Sequence, residues 1–155
     1  GKRVSLRKAT WEDCKLIFTW RNLPDIVALS STQKTVSWQE HTDWFKSAIN
    51  SDQININIII LEEIPIGIIR FDFKGPESAD ISIYLTNEHT GKGLGVLIIQ
   101  EACKNFFMSK QTLKKVVAFI QVENFRSQRA FEKAGFIKEK QACSKQNHIR
   151  MIKRR

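Results

Sequence analysis

Apolar and polar residues alternate at the start of the chain and then recur with a helical period. Residues 4–7 alternate apolar and polar side chains, as a strand with one buried face does. Thr10 then offers a helix N-cap, and Glu12 and Asp13 follow in the first turn, where the helix dipole favours carboxylates. This helix is predicted to end before Pro24. Its apolar face comprises Leu16, Ile17 and Trp20.

A second helix is predicted to begin at Ser37, because Ser37 and Glu40 have the spacing of a reciprocal capping box. Its apolar stripe comprises Trp38, Trp44, Phe45, Ala48 and Ile49. Two apolar runs follow at 55–61 and 64–73, and the short link Glu62-Glu63 predicts a β-hairpin. Residues 80–85 alternate again and predict another strand.

The second half of the chain predicts two further helices and three strands. The helices span 96–108 and 125–134, and Gly135 is a natural C-cap for the second of them. The strands span 116–122, 136–142 and 148–152. The resulting order, β-α-α-β-β-β-α-β-α-β-β, indicates an α/β fold with a central mixed sheet and helices on both faces.

Length and composition favour one globular domain over residues 1–155. The chain is 42% hydrophobic and 26% charged, and it lacks the apolar run of about 20 residues that a membrane span requires. Its first residues lead directly into the alternating strand, without the apolar stretch of a signal peptide. We therefore expect a soluble, cytoplasmic protein.

Cysteine spacing and charge limit the classes of site. Cys14, Cys103 and Cys143 are far apart and form no CxxC pair, so no metal site is predicted, although a catalytic cysteine remains an alternative. The formal net charge of +9 suits an acidic ligand, but the basic C-terminus also explains it as a solvated surface. Our prediction includes no nucleic-acid partner, and a basic nucleic-acid-binding module is kept as an alternative.

A glycine-rich turn precedes the helix predicted at 96–108. Gly91, Gly93 and Gly95 alternate there, so backbone N–H groups and the helix N-terminus can approach phosphates without an intervening Cβ. The spacing matches neither a P-loop nor a dinucleotide fingerprint. By itself, the turn fits a flexible strand–helix connection equally well.

A second motif follows at 124–136, where Asn124, Ser127 and Phe131 precede Glu-Lys-Ala-Gly-Phe. Together, the two segments resemble the cofactor motifs of GNAT acetyltransferases in order and separation, and the resemblance covers nearly the whole chain. It implies the GNAT fold and an acetyl-CoA-dependent N-acetyltransferase that acetylates a primary amine by direct attack in a ternary complex. No acyl-enzyme nucleophile is implied.

The resemblance also implies residue roles toward the cofactor. Backbone groups near Tyr84 and Leu85 are expected to pair with the pantetheine arm, and Asn124 and Ser127 to face the cofactor. Phe131 stands where many relatives carry a tyrosine that protonates the departing thiolate. The residues expected to hold the pyrophosphate are Lys92, Gly93, Leu94, Gly95 and Val96.

Two residues depart from the family pattern. Thr90 replaces a common Arg or Gln, a loss that backbone donors can offset. Phe131 cannot donate a proton, which leaves Tyr84, Ser127 or an ordered water as alternative acids. The candidates for the base that takes the amine proton are His41, Asp72, Asp80 and Glu88.

For the acceptor amine, the N-terminal half is the informative part. Its segments 20–22, 41–45 and 66–72 resemble the aminosugar N-acetyltransferases of pseudaminic-acid and related nonulosonate pathways, whose substrate is a nucleotide diphosphate-linked 4-amino sugar. They are similar more loosely to Rim-type acetyltransferases, which act on protein N-termini. The substrate-binding residues implied are Arg21, Asn22, His41, Trp44 and Arg70.

Each of these residues also has a structural interpretation. His41 and Trp44 can be core residues on one helical face, and Arg21 can be a solvated cation at a helix end. Arg70 can bridge to Asp72 or Asp80. A non-catalytic acyl-CoA sensor, and a homodimer formed by exposed strands near 137–152, are further alternatives.

Overall fold

The computed structural model describes residues 3–30, 32–86, 89–90, 93–140 and 147–155. The chain divides into two compact units. The N-terminal unit comprises 1–70 and 83–88, and the C-terminal unit comprises 71–82 and 89–155. One domain over 1–155 stays a prediction.

The described residues form a seven-stranded mixed sheet, which confirms the predicted α/β fold class. Its strands are β1 (Val4–Lys8), β2 (Ile54–Leu61), β3 (Ile64–Phe73), β4 (Ser78–Leu85), β5 (Lys115–Gln121), β6 (Ile137–Lys138) and β7 (His148–Arg154). Their order in the sheet is β1-β2-β3-β4-β5-β7-β6. The β4–β5 pair is parallel, whereas β1–β2, β5–β7 and β6–β7 are antiparallel.

Five α-helices accompany these strands in the described part of the chain: α1 (Cys14–Arg21), α2 (Pro24–Leu29), α3 (Trp38–Ile49), α4 (Leu94–Ser109) and α5 (Phe125–Lys133). A 3₁₀ turn at Trp11–Asp13 leads into α1. Helix α2 is not among the predicted elements. Pro24 ends the first helical pattern, but it also suits the first position of a new helix, where its missing N–H costs nothing. None of the described helices is both long and apolar enough to cross a membrane.

In the N-terminal unit, α1 and α3 pack onto β2 around a core that includes Ile17, Phe45 and Ile58, all fully buried. The predicted capping box of α3 is present, because Ser37 Oγ accepts from the Glu40 N–H at 3.1 Å and Glu40 Oε1 accepts from the Ser37 N–H at 3.3 Å. Helix α3 therefore starts at a fixed residue, and that start sets the direction of its later side chains.

A buried carboxylate fixes the entry into α1. Both Asp13 oxygens accept from the Arg7 guanidinium at 2.8 Å, and the Thr10 N–H donates to Oδ2 at 2.8 Å. These hydrogen bonds, led by the one from Arg7, lower the pKa of Asp13 against the opposing effect of burial. The carboxylate is thus paired and satisfied, as a buried charge must be.

The link between β2 and β3 is the predicted hairpin turn. Glu62 and Glu63 have φ values of 48° and 70°, which are the left-handed conformations that a two-residue turn requires at both positions. Glu62 is also held from β1's side, since its N–H donates to the Arg3 carbonyl at 3.1 Å.

In the C-terminal unit, β5 runs through the core with Val116, Val117 and Ala118 buried. Phe71 and Phe106 stack at a ring-centroid distance of 4.0 Å. The strand predicted at 136–142 is only two residues long in the described chain, and positions 141–142 lie outside the described residues. The pairing of β4 with β5 covers Ser78–Ile81 of β4, which continues to Leu85.

Candidate active site

Two arginines and a tryptophan come together in the N-terminal unit. Arg21 ends α1, Trp44 lies on the second turn of α3, and Arg70 lies on β3. The guanidinium carbons of Arg21 and Arg70 lie 4.5 Å and 5.1 Å from the Trp44 ring centroid, within cation–π range. We call these three residues the arginine–tryptophan cluster. It contains three of the residues predicted to bind substrate.

The two guanidiniums bring like charges to one indole ring. Burial is the main cause of a lowered pKa at Arg21, and the charge of Arg70 acts in the same direction. An arginine remains protonated at neutral pH despite such a shift. The cluster therefore concentrates positive charge and suits a ligand with two negative charges close together.

His41 lies behind this cluster and is fully buried. Its Nε2 lies 2.7 Å from the Cys14 carbonyl oxygen, and its Nδ1 lies 3.1 Å from Arg21 Nη1. A carbonyl only accepts and a guanidinium only donates, so the ring is the neutral tautomer with its proton on Nε2. Burial lowers the pKa of His41, and the Arg21 charge adds to that effect.

His41 therefore has no ring nitrogen left for a substrate, which corrects the prediction that it is the base or a direct substrate ligand. Asn22 is corrected on similar grounds. Its amide donates to the Val36 carbonyl at 3.0 Å and accepts from the Val36 N–H at 2.8 Å, which fastens the segment before α3. Both side chains hold neighbouring parts of the protein.

Tyr84 on β4 carries a hydroxyl that is enclosed and has no hydrogen-bond partner within the described residues. Its ring meets Trp20 edge to face at 6.2 Å. Burial raises the pKa of Tyr84 far above its usual value. The phenol therefore keeps its proton across the physiological range and can act only as a donor or a neutral acceptor.

Gly67 lets β3 approach the backbone of Tyr84, and it is the residue that the sequence reasoning missed. A Cβ at position 67 would lie 2.1 Å from the Tyr84 carbonyl oxygen and 3.0 Å from the Leu85 Cα. Just beyond, the Thr86 N–H donates to the Ile66 carbonyl at 2.8 Å. An isolated glycine within an apolar strand is a known signal of close backbone approach, so the sequence contained a usable indication.

In the C-terminal unit, the glycine turn leads into α4 as predicted. Gly93 is the N-cap with φ of 78°, and a Cβ there would meet nothing within 4 Å. Because glycine has no side chain to cap the helix, the first-turn N–H groups of Leu94, Gly95 and Val96 face open space at the positive end of the dipole. This start of α4 fits a pyrophosphate.

Helix α5 contains the second predicted motif. Asn124 is its N-cap, and Asn124 Oδ1 accepts from the Ser127 N–H at 3.2 Å. Phe131 is 2% exposed and meets Phe136 edge to face at 5.0 Å. Phe131 thus packs in the core, which corrects its predicted contact with the cofactor. Gly95 brings α4 close to α5, with 3.9 Å from its would-be Cβ to the Ala130 Cβ.

The remaining predicted residues are not brought to this cluster. Glu88 and Lys92 lie outside the described residues. Asp72 and Asp80 are half-buried, and both have polar or electrostatic partners. Burial raises the pKa of Cys14 and brings that of Cys103 to about 12, so both stay protonated thiols rather than nucleophiles.

Comparison with known proteins places this geometry in a family. Residues 3–137 match the family described as Acetyltransferase (GNAT) domain. The chain is 26% identical over 149 residues to Acetyltransferase PseH of Campylobacter jejuni subsp. jejuni serotype O:2, and the match covers 91% of each protein.

Two solved structures share the fold. The aminoglycoside acetyltransferase AAC(6')-Ib in complex with coenzyme A has a TM-score of 0.86 at 21% identity, over 99% of this chain and 95% of that one. The Campylobacter jejuni N-acetyltransferase PseH in complex with acetyl coenzyme A has a TM-score of 0.74 at 17% identity, over 98% and 99%.

The family match covers most of the chain, including the glycine turn and the start of α5. It confirms the predicted resemblance, the fold and the enzyme class, an N-acetyltransferase that uses acetyl-CoA. The chain belongs to the GNAT acetyltransferase family.

Proposed function

We propose that this enzyme transfers the acetyl group of acetyl-CoA to the primary amine of a nucleotide-linked amino sugar, in a ternary complex. The observation that carries the proposal is the arginine–tryptophan cluster, with two guanidiniums 4.5 Å and 5.1 Å from one indole centroid. The similarity to PseH agrees with the predicted resemblance to aminosugar N-acetyltransferases.

Charge favours this acceptor over the polycationic amines. Guanidiniums bind phosphate oxygens in pairs of parallel hydrogen bonds, and two of them match the two phosphates of a nucleoside diphosphate. The same cluster repels an aminoglycoside or a polyamine, whose charges are all positive at neutral pH. Similarity to AAC(6')-Ib is therefore used here as evidence for the fold alone.

On the cofactor side, the N–H groups at the start of α4 hold the pyrophosphate, with Gly93, Leu94, Gly95 and Val96 as the predicted residues. Lys92 completes this predicted set. The backbone of β4 at Leu85 is the predicted partner of the pantetheine arm, and Asn124 and Ser127 remain predicted contacts from α5. When bound, acetyl-CoA supplies an acetyl group activated as a thioester.

Tyr84 is the proposed proton donor to the departing thiolate. Its hydroxyl keeps its proton and lacks a partner within the described residues, whereas Phe131 has no proton to give. Ser127 remains the predicted alternative. The amine must lose a proton before it attacks, and Asp72, Asp80 and Glu88 remain the candidate bases.

Steady-state kinetics with acetyl-CoA and a panel of amines tests the proposal. The panel contains a UDP-linked 4-amino sugar, the same sugar without its nucleotide, an N-terminal peptide, spermidine and kanamycin. We expect turnover to be confined to the UDP-linked sugar. We also expect Arg21→Ala and Arg70→Ala each to raise its KM by about tenfold or more, since each removes a charge-assisted phosphate contact.

The matched control is Lys15→Ala, which removes an exposed cation from the same helix as Arg21 and should leave KM unchanged. Preferred turnover of the peptide would replace the proposal with a Rim-type activity. Acetyl-CoA binding without turnover of any amine would instead indicate a sensor. A cytoplasmic location and a homodimer stay predictions; the observation behind the latter is Ile137, which is 75% exposed on β6.

A further inference from the structure

The His41 ring lies in a cage of aromatic side chains. Phe45 stacks on it at 5.7 Å with an interplanar angle of 14°, and the other three rings lie at centroid distances between 5.3 and 6.0 Å. Those three rings belong to Phe18, Trp38 and Trp44. A polar ring in such surroundings is retained at a cost in desolvation, so its two hydrogen bonds call for an explanation.

Both hydrogen bonds of His41 run toward α1. The Nε2–H donates to the Cys14 carbonyl at the start of α1, and Nδ1 accepts from Arg21 at the end of that helix. The first bond fixes the tautomer and the ring plane. The second therefore presents a lone pair to the guanidinium in one direction only.

We propose that His41 is a positioning residue, which holds the Arg21 guanidinium over Trp44 so that it is oriented for an anionic acceptor before the acceptor binds. The inference rests on the proposed function, because it assigns Arg21 to the acceptor's phosphates. Without the Nδ1 lone pair, Arg21 loses the contact that selects one rotamer of a long side chain.

Protonation of His41 would replace the lone pair with a second N–H and turn the Arg21 contact into repulsion between two cations. The groups that act on this pair are the Cys14 thiol on α1, Glu40 on α3, Arg70 on β3 and Tyr84 on β4. Because the folded protein disfavours the charged ring, acceptor binding should be lost only below about pH 6.5, the ordinary pKa of histidine.

Two variants separate the hydrogen bonds. In His41→Asn, the amide can supply an acceptor near the Nδ1 position but cannot reach the Cys14 carbonyl. In His41→Gln, the amide can donate toward that carbonyl but leaves Arg21 without its acceptor. The probe is UDP-N-acetylglucosamine, whose phosphates do not titrate near neutral pH, and its affinity is measured by isothermal titration calorimetry.

We expect His41→Gln to weaken probe binding by about tenfold, and His41→Asn by no more than about threefold, as the loss of one hydrogen bond to a charged group predicts. Arg21→Ala with His41→Gln should bind no more weakly than Arg21→Ala alone, because both changes remove the same oriented cation. Affinity of the wild type should fall below about pH 6.5, whereas His41→Asn should not show that fall.

The outcomes separate the two proposals. If Arg21→Ala weakens binding but His41→Gln does not, the positioning role is wrong and the proposed function stands. If neither arginine variant weakens binding, or the wild type does not bind the probe, the proposed acceptor is wrong. Nitrogen-15 NMR of the wild type gives a test that needs no variant: a His41 that is an imidazolium, or carries its proton on Nδ1, at pH 7.5 would overturn the positioning role.

Discussion

At position 67, a single hydrogen atom in place of a methyl group lets two strands approach. The Gly67→Ala variant would place a Cβ 2.1 Å from the Tyr84 carbonyl oxygen, and backbone cannot yield cheaply. We expect a loss of about 1–3 kcal/mol in the free energy of unfolding from this overpacking. Because the displaced atoms belong to Tyr84 and Leu85, kcat/KM should fall by about tenfold or more.

Urea unfolding and steady-state kinetics measure the two effects. Ile64→Ala is the control, since Ile64 is 60% exposed at the start of the same strand and should tolerate the change. A Gly67→Ala enzyme with unaltered kcat/KM would show that the Tyr84 backbone does not contribute to catalysis.

Tyr84→Phe separates stability from catalysis. The hydroxyl is enclosed without a partner in the described chain, so its removal should leave the thermal midpoint unchanged or slightly higher. If Tyr84 protonates the leaving thiolate, kcat should fall by about a hundredfold while the Kd for acetyl-CoA stays the same. An unchanged kcat would transfer that role to Ser127 or to water.

Single residues were the hardest to predict from sequence. Arg21, Trp44 and Arg70 could be selected as substrate ligands from the resemblance, and they do share one place in the structure. His41 was selected for the wrong task, because its burial and its bond to the Cys14 carbonyl depend on how α1 packs on α3. Helical spacing places a side chain on a face but does not say which backbone atoms it will meet.

At the scale of an element, the capping box of α3 has a measurable consequence. Ser37→Ala removes the acceptor for the Glu40 N–H and should lower the free energy of unfolding by about 1 kcal/mol. Gln39→Ala is the matched control on the same turn: it removes only an exposed contact with Asp43, and such a pair contributes about 0.2–0.5 kcal/mol. Equal losses in the two variants would mean that the cap contributes nothing particular to α3.

Elements with local signals were predictable, and those that depend on context were not. Ser37 and Glu40 satisfy each other's backbone donors whatever the rest of the fold does, so α3 could be predicted at its first residue. Pro24 is ambiguous, because the same ring that ends one helix can begin the next, and α2 was missed for that reason. The length of β6 depends on its pairing with β7, which the local pattern does not encode.

For the whole molecule, two buried groups predict how stability depends on pH. The pKa values of His41 and Asp13 are both lower in the folded state, so each contributes stability that is complete above its ordinary pKa and is lost on acidification. We expect one loss to begin below about pH 6.5 and another below about pH 4.

Urea unfolding across this range checks the assignment. His41→Asn should remove the first decrease, and Asp13→Asn should remove the second. If either variant keeps the corresponding decrease, other histidines or carboxylates are responsible for it.

The two-residue link between β2 and β3 bears on how the chain folds as well as on where it ends up. Glu62 and Glu63 bring neighbouring strands together over a very short loop, so this hairpin can close long before the parallel β4–β5 pair, which must wait for α4. Left-handed conformations are costly for glutamate, however. Glu63→Gly should therefore relieve strain at the turn and speed refolding in stopped-flow measurements, and the nucleus of folding would then lie in the half of the chain that also carries the acceptor site.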